Sequence, residues 1–311
     1  MSTAYYSHPD CWSHDMGPGH PECPQRLGAI EDHLRATGLD VALDHRDAPL
    51  ADPADLSLAH SSLYLQELRE CLERVKETGR PRALDPDTTA CLGTSQAMLR
   101  AAGAAVAATD AVIDGRAANA FCAVRPPGHH ATRDQAMGFC FLNNVAVAAR
   151  HALDVRGLER VAIADFDVHH GNGTEDIFAG DERVLMVSFF QHPLYPYSGT
   201  QARGSNMVNV AVPPYTRGAA IRELIQAQWT GPLDDFKPQM LFISAGFDAH
   251  RDDDLGQLGL VEADYEWITR YLCGVAERHA GGRIVSCLEG GYNLGALARS
   301  VAAHLRTLAG V

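Results

Sequence analysis

Asp165, Asp167 and His169 lie two residues apart behind an apolar run, Val161-Ala162-Ile163-Ala164. The run reads as a buried strand. Side chains two apart in a strand point to one side, so two carboxylates and an imidazole would converge at its end. One neutral nitrogen with carboxylate oxygens makes a cage for a divalent metal. A buried strand has few other uses for two carboxylates, because each unpaired buried charge costs several kcal/mol. The plainer alternative is a polar strand end that caps a helix, with Asn172 and Thr174 making turn bonds.

Other segments carry side chains of the same kind. His129 and His130 follow a Pro-Pro-Gly turn. Adjacent imidazoles divide labour when their partners differ: one bonded to a carboxylate stays charged, and the other stays neutral and acts as a base. Otherwise they are two exposed loop histidines. Asp248 follows Ser244-Ala245-Gly246-Phe247 and either supplies a third metal ligand or caps a helix. Tyr292 follows Glu289-Gly290-Gly291, where glycines let the backbone approach a ligand closely. A phenol there can donate a hydrogen bond to a developing oxyanion, or simply pack on a strand-to-helix turn. Gly138-Phe139-Cys140-Phe141-Leu142-Asn143-Asn144 either lines an apolar channel or starts a helix. Arg251-Asp252-Asp253-Asp254 reads as a solvated loop rather than a second metal site.

These segments need a scaffold that brings them together. Residues 2–24 read as a strand followed by an ordered loop rich in His, Pro, Gly and Cys. Helices are expected over 24–37, 62–78 and 94–114, the first two stopped by Gly38 and Gly79. Asp85-Pro86-Asp87-Thr88 reads as a turn. Strands are expected over 120–124, 160–168, 183–190, 207–212, 239–246 and 283–288, with helices over 140–153, 217–230, 262–279 and 293–308. Apolar strands alternating with helices predict an α/β fold with a parallel sheet covered on both faces. In such sheets ligands bind beyond the carboxyl ends of the strands. The strands ending near 124, 168, 246 and 288 all run into the polar segments just named, so four separated stretches would open on one edge.

Composition fits this picture. A chain of 311 residues, 46% hydrophobic and 21% charged, has ample core for one large domain, and a single domain over 1–311 is expected. Net charge is -13 and no run of Lys or Arg occurs, which argues against direct nucleic-acid binding. An acidic surface is compatible with basic peptides or polyamines and is also ordinary for a soluble protein. Eight cysteines, none at C-x-x-C spacing, suit a reducing compartment. The first residues show no basic-then-apolar leader, and no apolar stretch approaches the ~18 residues of a membrane span. The expectation is a cytoplasmic protein that does not engage membranes.

Five motifs, in order, now carry a resemblance: RPPGHHA from Arg125, GFCFLNN from Gly138, DFDVHHGNGTEDIF from Asp165, SAGFDAH from Ser244 and LEGGYNL from Leu288. They resemble the zinc-dependent histone deacetylase superfamily, which includes acetylpolyamine amidohydrolases and acetoin-utilisation proteins. The likeness runs from about His14 to Leu294. It implies the arginase–deacetylase fold, with a central eight-stranded parallel sheet flanked by helices. It implies one catalytic Zn2+ on Asp167, His169 and Asp248, with His130 as general base and then acid, and His129 as an electrostatic partner of Asp165. Asn172 stands where class I enzymes carry a second Asp and class II enzymes carry Asn, so the chain is class II-like there. Tyr292 matches the oxyanion tyrosine rather than the histidine of weakly active vertebrate class IIa enzymes.

For the substrate, the resemblance implies an acyl-lysine channel entered past Gly138 and walled by Phe139 and Tyr195. The family more often has Phe at the second place, so the Tyr195 hydroxyl would bias the acyl group accepted. Leu255 stands where polyamine-selective relatives carry a gatekeeper glutamate. Arg26 resembles the arginine near the acetate-release cavity. One or two structural K+ ions are also implied. The first would take the carbonyls of Asp165, Asp167, His169 and Phe189 and the side chains of Asp165 and Ser188. The second would take the carbonyls of Phe178, Asp181 and Val184. The expected activity is removal of acetyl or other acyl groups from lysine ε-amines of proteins or peptides. Rivals are an acetylpolyamine amidohydrolase, which Leu255 opposes, a non-catalytic acyl-ligand sensor, and a two-metal arginase-like enzyme. A homo-oligomer is compatible with all of them. The short chain predicts an open entrance, over which the loop at 10–24 can close.

Overall fold

The structure, a computed structural model, describes residues 2–311. The strands in chain order are β1 (Thr3–Ser7), β2 (Leu43–Asp47), the short pair β3 (Arg82–Ala83) and β4 (Thr89–Ala90), β5 (Asn119–Cys122), β6 (Val161–Asp165), β7 (Val184–Gln191), β8 (Met207–Val212), β9 (Leu241–Ala245) and β10 (Ile284–Leu288). Apart from the β3–β4 pair, they form one eight-stranded sheet in the order β2-β1-β5-β10-β9-β6-β7-β8. Every pairing in it is parallel. The last strand made, β10, lies in the middle.

The sequences of the central strands explain their place. β6 is VAIAD, β9 is LFISA and β10 is IVSCL, and every residue in them is buried. Successive side chains point to opposite faces, so burial of all of them requires cover on both faces. The edge strand β2, LDHRD, buries only its first residue.

The helices are α1 (Gln25–Thr37), α2 (Pro53–Ala59), α3 (Ser62–Thr78), α4 (Thr94–Ile113), α5 (Asn144–Arg150), α6 (Asn172–Phe178), α7 (Gly218–Gln228), α8 (Thr230–Phe236), α9 (Glu262–His279) and α10 (Leu294–Ala309). α10 packs against α1 and α9, while α4 packs against α5, β5 and β10. α1 and α3 stop where expected, at Gly38 and Gly79, both in the left-handed conformation that closes a helix. No helix among the described residues is long and apolar enough to cross a membrane.

The expected elements differ from the observed ones at informative places. The strand expected over 160–168 stops at Asp165, and a turn then leads into α6. The helix expected from 140 begins at Asn144, because the Asn143 side chain caps it by accepting the Ala146 N–H, and its end widens into a π turn over His151–Val155. The helix expected over 217–230 is α7, and a further short helix, α8, follows it. Polar β2 and short α2 were not expected, and α6 was foreshadowed only by the alternative of a strand end that caps a helix. The expected edge is present: β5, β10, β9 and β6 are consecutive neighbours, so their four C-terminal segments meet.

Candidate active site

β6 delivers Asp165 at its last position, the following turn carries Asp167 and His169, and the segment after β9 carries Asp248. Asp167, His169 and Asp248 each bring one donor atom into a buried group, all within 4.8 Å of one another. His169 Nδ1 is 3.0 Å from Asp167 Oδ1 and 3.2 Å from Asp248 Oδ2. Asp248 Oδ2 is buried and meets no hydrogen-bond geometry with any donor. Asp248 Oδ1 accepts the Val168 N–H at 2.9 Å, and Asp167 Oδ2 accepts the Gly290 N–H at 2.9 Å. Only glycine permits that approach, because a Cβ on Gly290 would fall 2.0 Å from Asp248 Oδ2.

Electrostatics mark this as a place for a cation. Burial lowers the pKa of His169, but its bond to Asp167 and the close carboxylate charge of Asp248 outweigh it and carry His169 up to about 10. Burial and the charge of Asp167 lift Asp248 to about 7. One nitrogen, two carboxylates and an orphaned oxygen fit a zinc ion with a position left open.

Asp165 is not part of this group. Its Oδ2 pairs with His129 Nδ1 at 3.0 Å. Equal spacing placed it beside Asp167 and His169, but β6 ends at Asp165 and the chain beyond it is no longer extended. The resemblance also pairs Asp165 with His129. His130 Nδ1 instead donates to Asn172 Oδ1, at 2.7 Å. Asn172 is the first residue of α6, so that helix positions it.

The two imidazoles are driven apart by these surroundings. Burial lowers both. For His129 the charges of Asp167 and Asp165 overcome burial and hold it well above the usual imidazole range. For His130 the nearby charges of His129 and His169 add to burial and hold it well below. A charged His129 beside a neutral His130 is the division of labour the tandem pair suggested. Both are buried, not exposed loop residues. Glu289 fixes the segment that carries them, accepting the Gly128 N–H at 2.6 Å and the His129 N–H at 3.1 Å.

Tyr292 ends the segment after β10. Burial, with Asp248 and Asp167 near, pushes its phenol well above the ordinary range and keeps it a hydrogen-bond donor. Its ring stands edge-on to Phe139, with centroids 5.9 Å apart, and the Arg26 guanidinium lies 5.0 Å from its centroid. Arg26 is fully buried and donates to the carbonyls of Gly291 at 2.7 Å and Glu289 at 2.5 Å. Asp253, read from sequence as solvated, is buried instead and accepts the Tyr292 N–H at 2.6 Å.

Both expected channel walls stand at the site. Phe139 has a left-handed backbone, φ 69°, and donates its N–H to Thr88 Oγ1 at 3.0 Å. Tyr195 stands edge-on to His130, with centroids 5.2 Å apart, and its buried hydroxyl has no partner. Gly138 packs so tightly on His130 that a Cβ would fall 2.4 Å from Cδ2. Leu255 is half-buried beside Asp253, to which it donates its N–H at 3.0 Å. The loop at 10–24 does two things. His20 meets Phe139 edge-on at 4.7 Å, while Glu22 turns inward to pair with Arg26 and Arg125. Sequence reasoning assigned no role to Glu22, Arg125, Glu289 or Asp253.

The expected potassium ligands divide into two cases. Among the described residues no backbone N–H outside the strand ladders donates to the carbonyls of Asp167 or His169, so these fit a cation. Ser188 lies opposite Asp165 in the sheet, next to Phe189. The second set does not fit. The carbonyls of Phe178, Asp181 and Val184 converge on Asn206 Nδ2 at 2.9, 3.1 and 2.9 Å. Asn206 Oδ1 accepts the Gly180 N–H at 2.9 Å, which fixes the amide's orientation. A side-chain amide closes this cage, and a second cation there is a correction to the expectation.

Residues 20–308 match the histone deacetylase domain family. The chain is 36% identical over 305 residues to a probable deacetylase of Archaeoglobus fulgidus, covering 94% of this chain and 82% of that protein. It is 38% identical over 283 residues to the histone deacetylase-like amidohydrolase of Pseudomonas aeruginosa, covering 88% and 73% respectively. It is 37% identical over 339 residues to polyamine deacetylase HDAC10 of Mus musculus, covering 100% of this chain and 48% of that longer protein. The crystal structure of the HDA15 HD domain superposes with a TM-score of 0.90 at 32% identity, covering 99% of this chain and 90% of that one.

Proposed function

This chain belongs to the histone deacetylase family and has its arginase–deacetylase fold, and we propose that it is a zinc-dependent deacylase acting on the linear amide of acyl-lysine, acetyl first. The observation that carries this reading is the pairing of a charged His129 with a neutral His130 beside the Asp167–His169–Asp248 group. A zinc ion held by that group would act as a Lewis acid on the amide carbonyl and lower the pKa of water.

The chain's own residues supply the rest. His130, neutral, takes a proton from the attacking water and returns it to the departing amine. His129, charged through Asp165, adds positive potential where negative charge develops. The Tyr292 phenol donates to that developing oxyanion. Phe139 and Tyr195 hold the alkyl chain, and Leu255 shapes the rim. A structural potassium ion on the carbonyls of Asp165, Asp167, His169 and Phe189 would brace the turn after β6. We read residues 1–311 as one catalytic domain that works in the cytoplasm.

Tyr292→Phe and His130→Ala test the assignment. Each loses about 100-fold or more in kcat on an acetyl-lysine peptide, the scale of a lost oxyanion donor or general base, while folding normally. Unchanged turnover in both variants refutes it. Likeness to a polyamine deacetylase favours a second reading, hydrolysis of acetylpolyamines. Competition between an acetyl-lysine peptide and acetylputrescine or acetylspermidine separates the two, and Leu255 in place of an acidic gatekeeper favours the peptide.

A further inference from the structure

Tyr292 makes no side-chain hydrogen bond to the protein among the described residues, so its place is set through its backbone and ring contacts. That backbone follows two glycines, the second with φ 118°, and glycine has little conformational preference of its own. The stiffness must come from outside. Arg26 holds the carbonyls of Glu289 and Gly291, and Asp167 holds the Gly290 N–H. The N–H groups of Tyr292 and Asn293 both donate to Asp253 Oδ2, at 2.6 and 2.9 Å.

Asp253 is only 5% exposed, and among the described residues no cationic side chain forms an ion pair with it. Its other oxygen accepts the Leu255 N–H at 3.0 Å. A buried carboxylate whose hydrogen-bond partners are three backbone N–H groups is stabilised chiefly by those bonds, with the charge of Arg26 a lesser help, and in return it fixes the two segments that supply them. We propose that Asp253 is the positioning residue of Tyr292, tying the oxyanion phenol and the Leu255 rim to one carboxylate. The proposal rests on the deacylase reading for its catalytic consequence, but not for the positioning itself.

Two measurements on the zinc-loaded protein test it, with Asp253→Asn and Asp253→Ser both made so that one variant of near-native melting temperature is available. The first is turnover. Asp253→Asn lowers kcat about 10–100-fold, the cost of misplacing a catalytic group by a fraction of an ångström, with KM and zinc content little changed. In a Tyr292→Phe background the same substitution costs less than about twofold, because the group it positions is gone. Losses that multiply in the double variant overturn the proposal. The second is the 19F spectrum of 3-fluorotyrosine at position 292. It is one sharp line in the parent and shifted or broadened in the Asp253 variants, and an unchanged line overturns the proposal. If Tyr292→Phe itself keeps full activity, the deacylase role of Tyr292 falls while the 19F spectrum still decides the positioning.

Discussion

His129 and His130 have ring centroids 4.0 Å apart, yet their protons answer to different neighbours. Asp165 accepts from one and the neutral Asn172 amide from the other. Exchanging the amide for a carboxylate reverses part of that difference. In Asn172→Asp a negative charge faces His130 Nδ1–H, favours the imidazolium and raises the His130 pKa. His130 must be neutral to accept a proton, so the acid limb of kcat/KM moves to higher pH, by about one pH unit. A limb that stays in place, or moves down, refutes His130 as the base. At this scale the sequence was most legible where residue type and motif coincide, as at Asp167, His169, Asp248 and Tyr292. Asp253 and Glu289 escaped notice for a physical reason. A carboxylate that binds backbone N–H groups leaves no partner residue in the sequence, so an anchoring Asp in an acidic run looks like any solvated one.

Between elements, the site rests on a buried charge cluster where the loop before α1 and the first turn of α1 meet the segment after β5. Glu22, Arg26 and Arg125 are all fully buried. Burial raises the Glu22 pKa, but the charges of Arg125, Arg26 and His14 overcome it and hold the carboxyl at about 2. The stability this provides is complete above the ordinary carboxyl range near 4.5 and is lost as pH falls toward about 2. Glu22→Gln leaves two guanidinium groups buried without their counter-charge, and denaturant unfolding at neutral pH should show a loss of about 3–5 kcal/mol. A change under about 1 kcal/mol contradicts this account. Elements themselves were legible in proportion to their patterning. Central strands and long helices carry period or continuous apolarity. β2 does not, because an edge strand buries little, and α6 does not, because seven residues hold too few turns to show a face.

For the whole molecule, three ligand atoms from two strand ends would join through one ion, so metal affinity and fold stability are linked. A metal present at a thousandfold excess over its Kd adds about 4 kcal/mol. Chelation should therefore abolish turnover and lower the melting temperature by several degrees, with both restored by zinc. Loss of neither contradicts a metal at this site. The position of β10 has a consequence for biosynthesis. The chain emerges from the ribosome with β1, β2 and β5 able to pair on one side and β6 to β9 on the other, while the strand that joins the two halves is made last. Until about residue 288 is free, β5 and β9 each present an unpaired edge, the kind of surface that templates aggregation. A nascent or truncated chain ending before β10 is thus two unfinished half-sheets, and the surveillance that recognises open strand edges has a physical basis for discarding it.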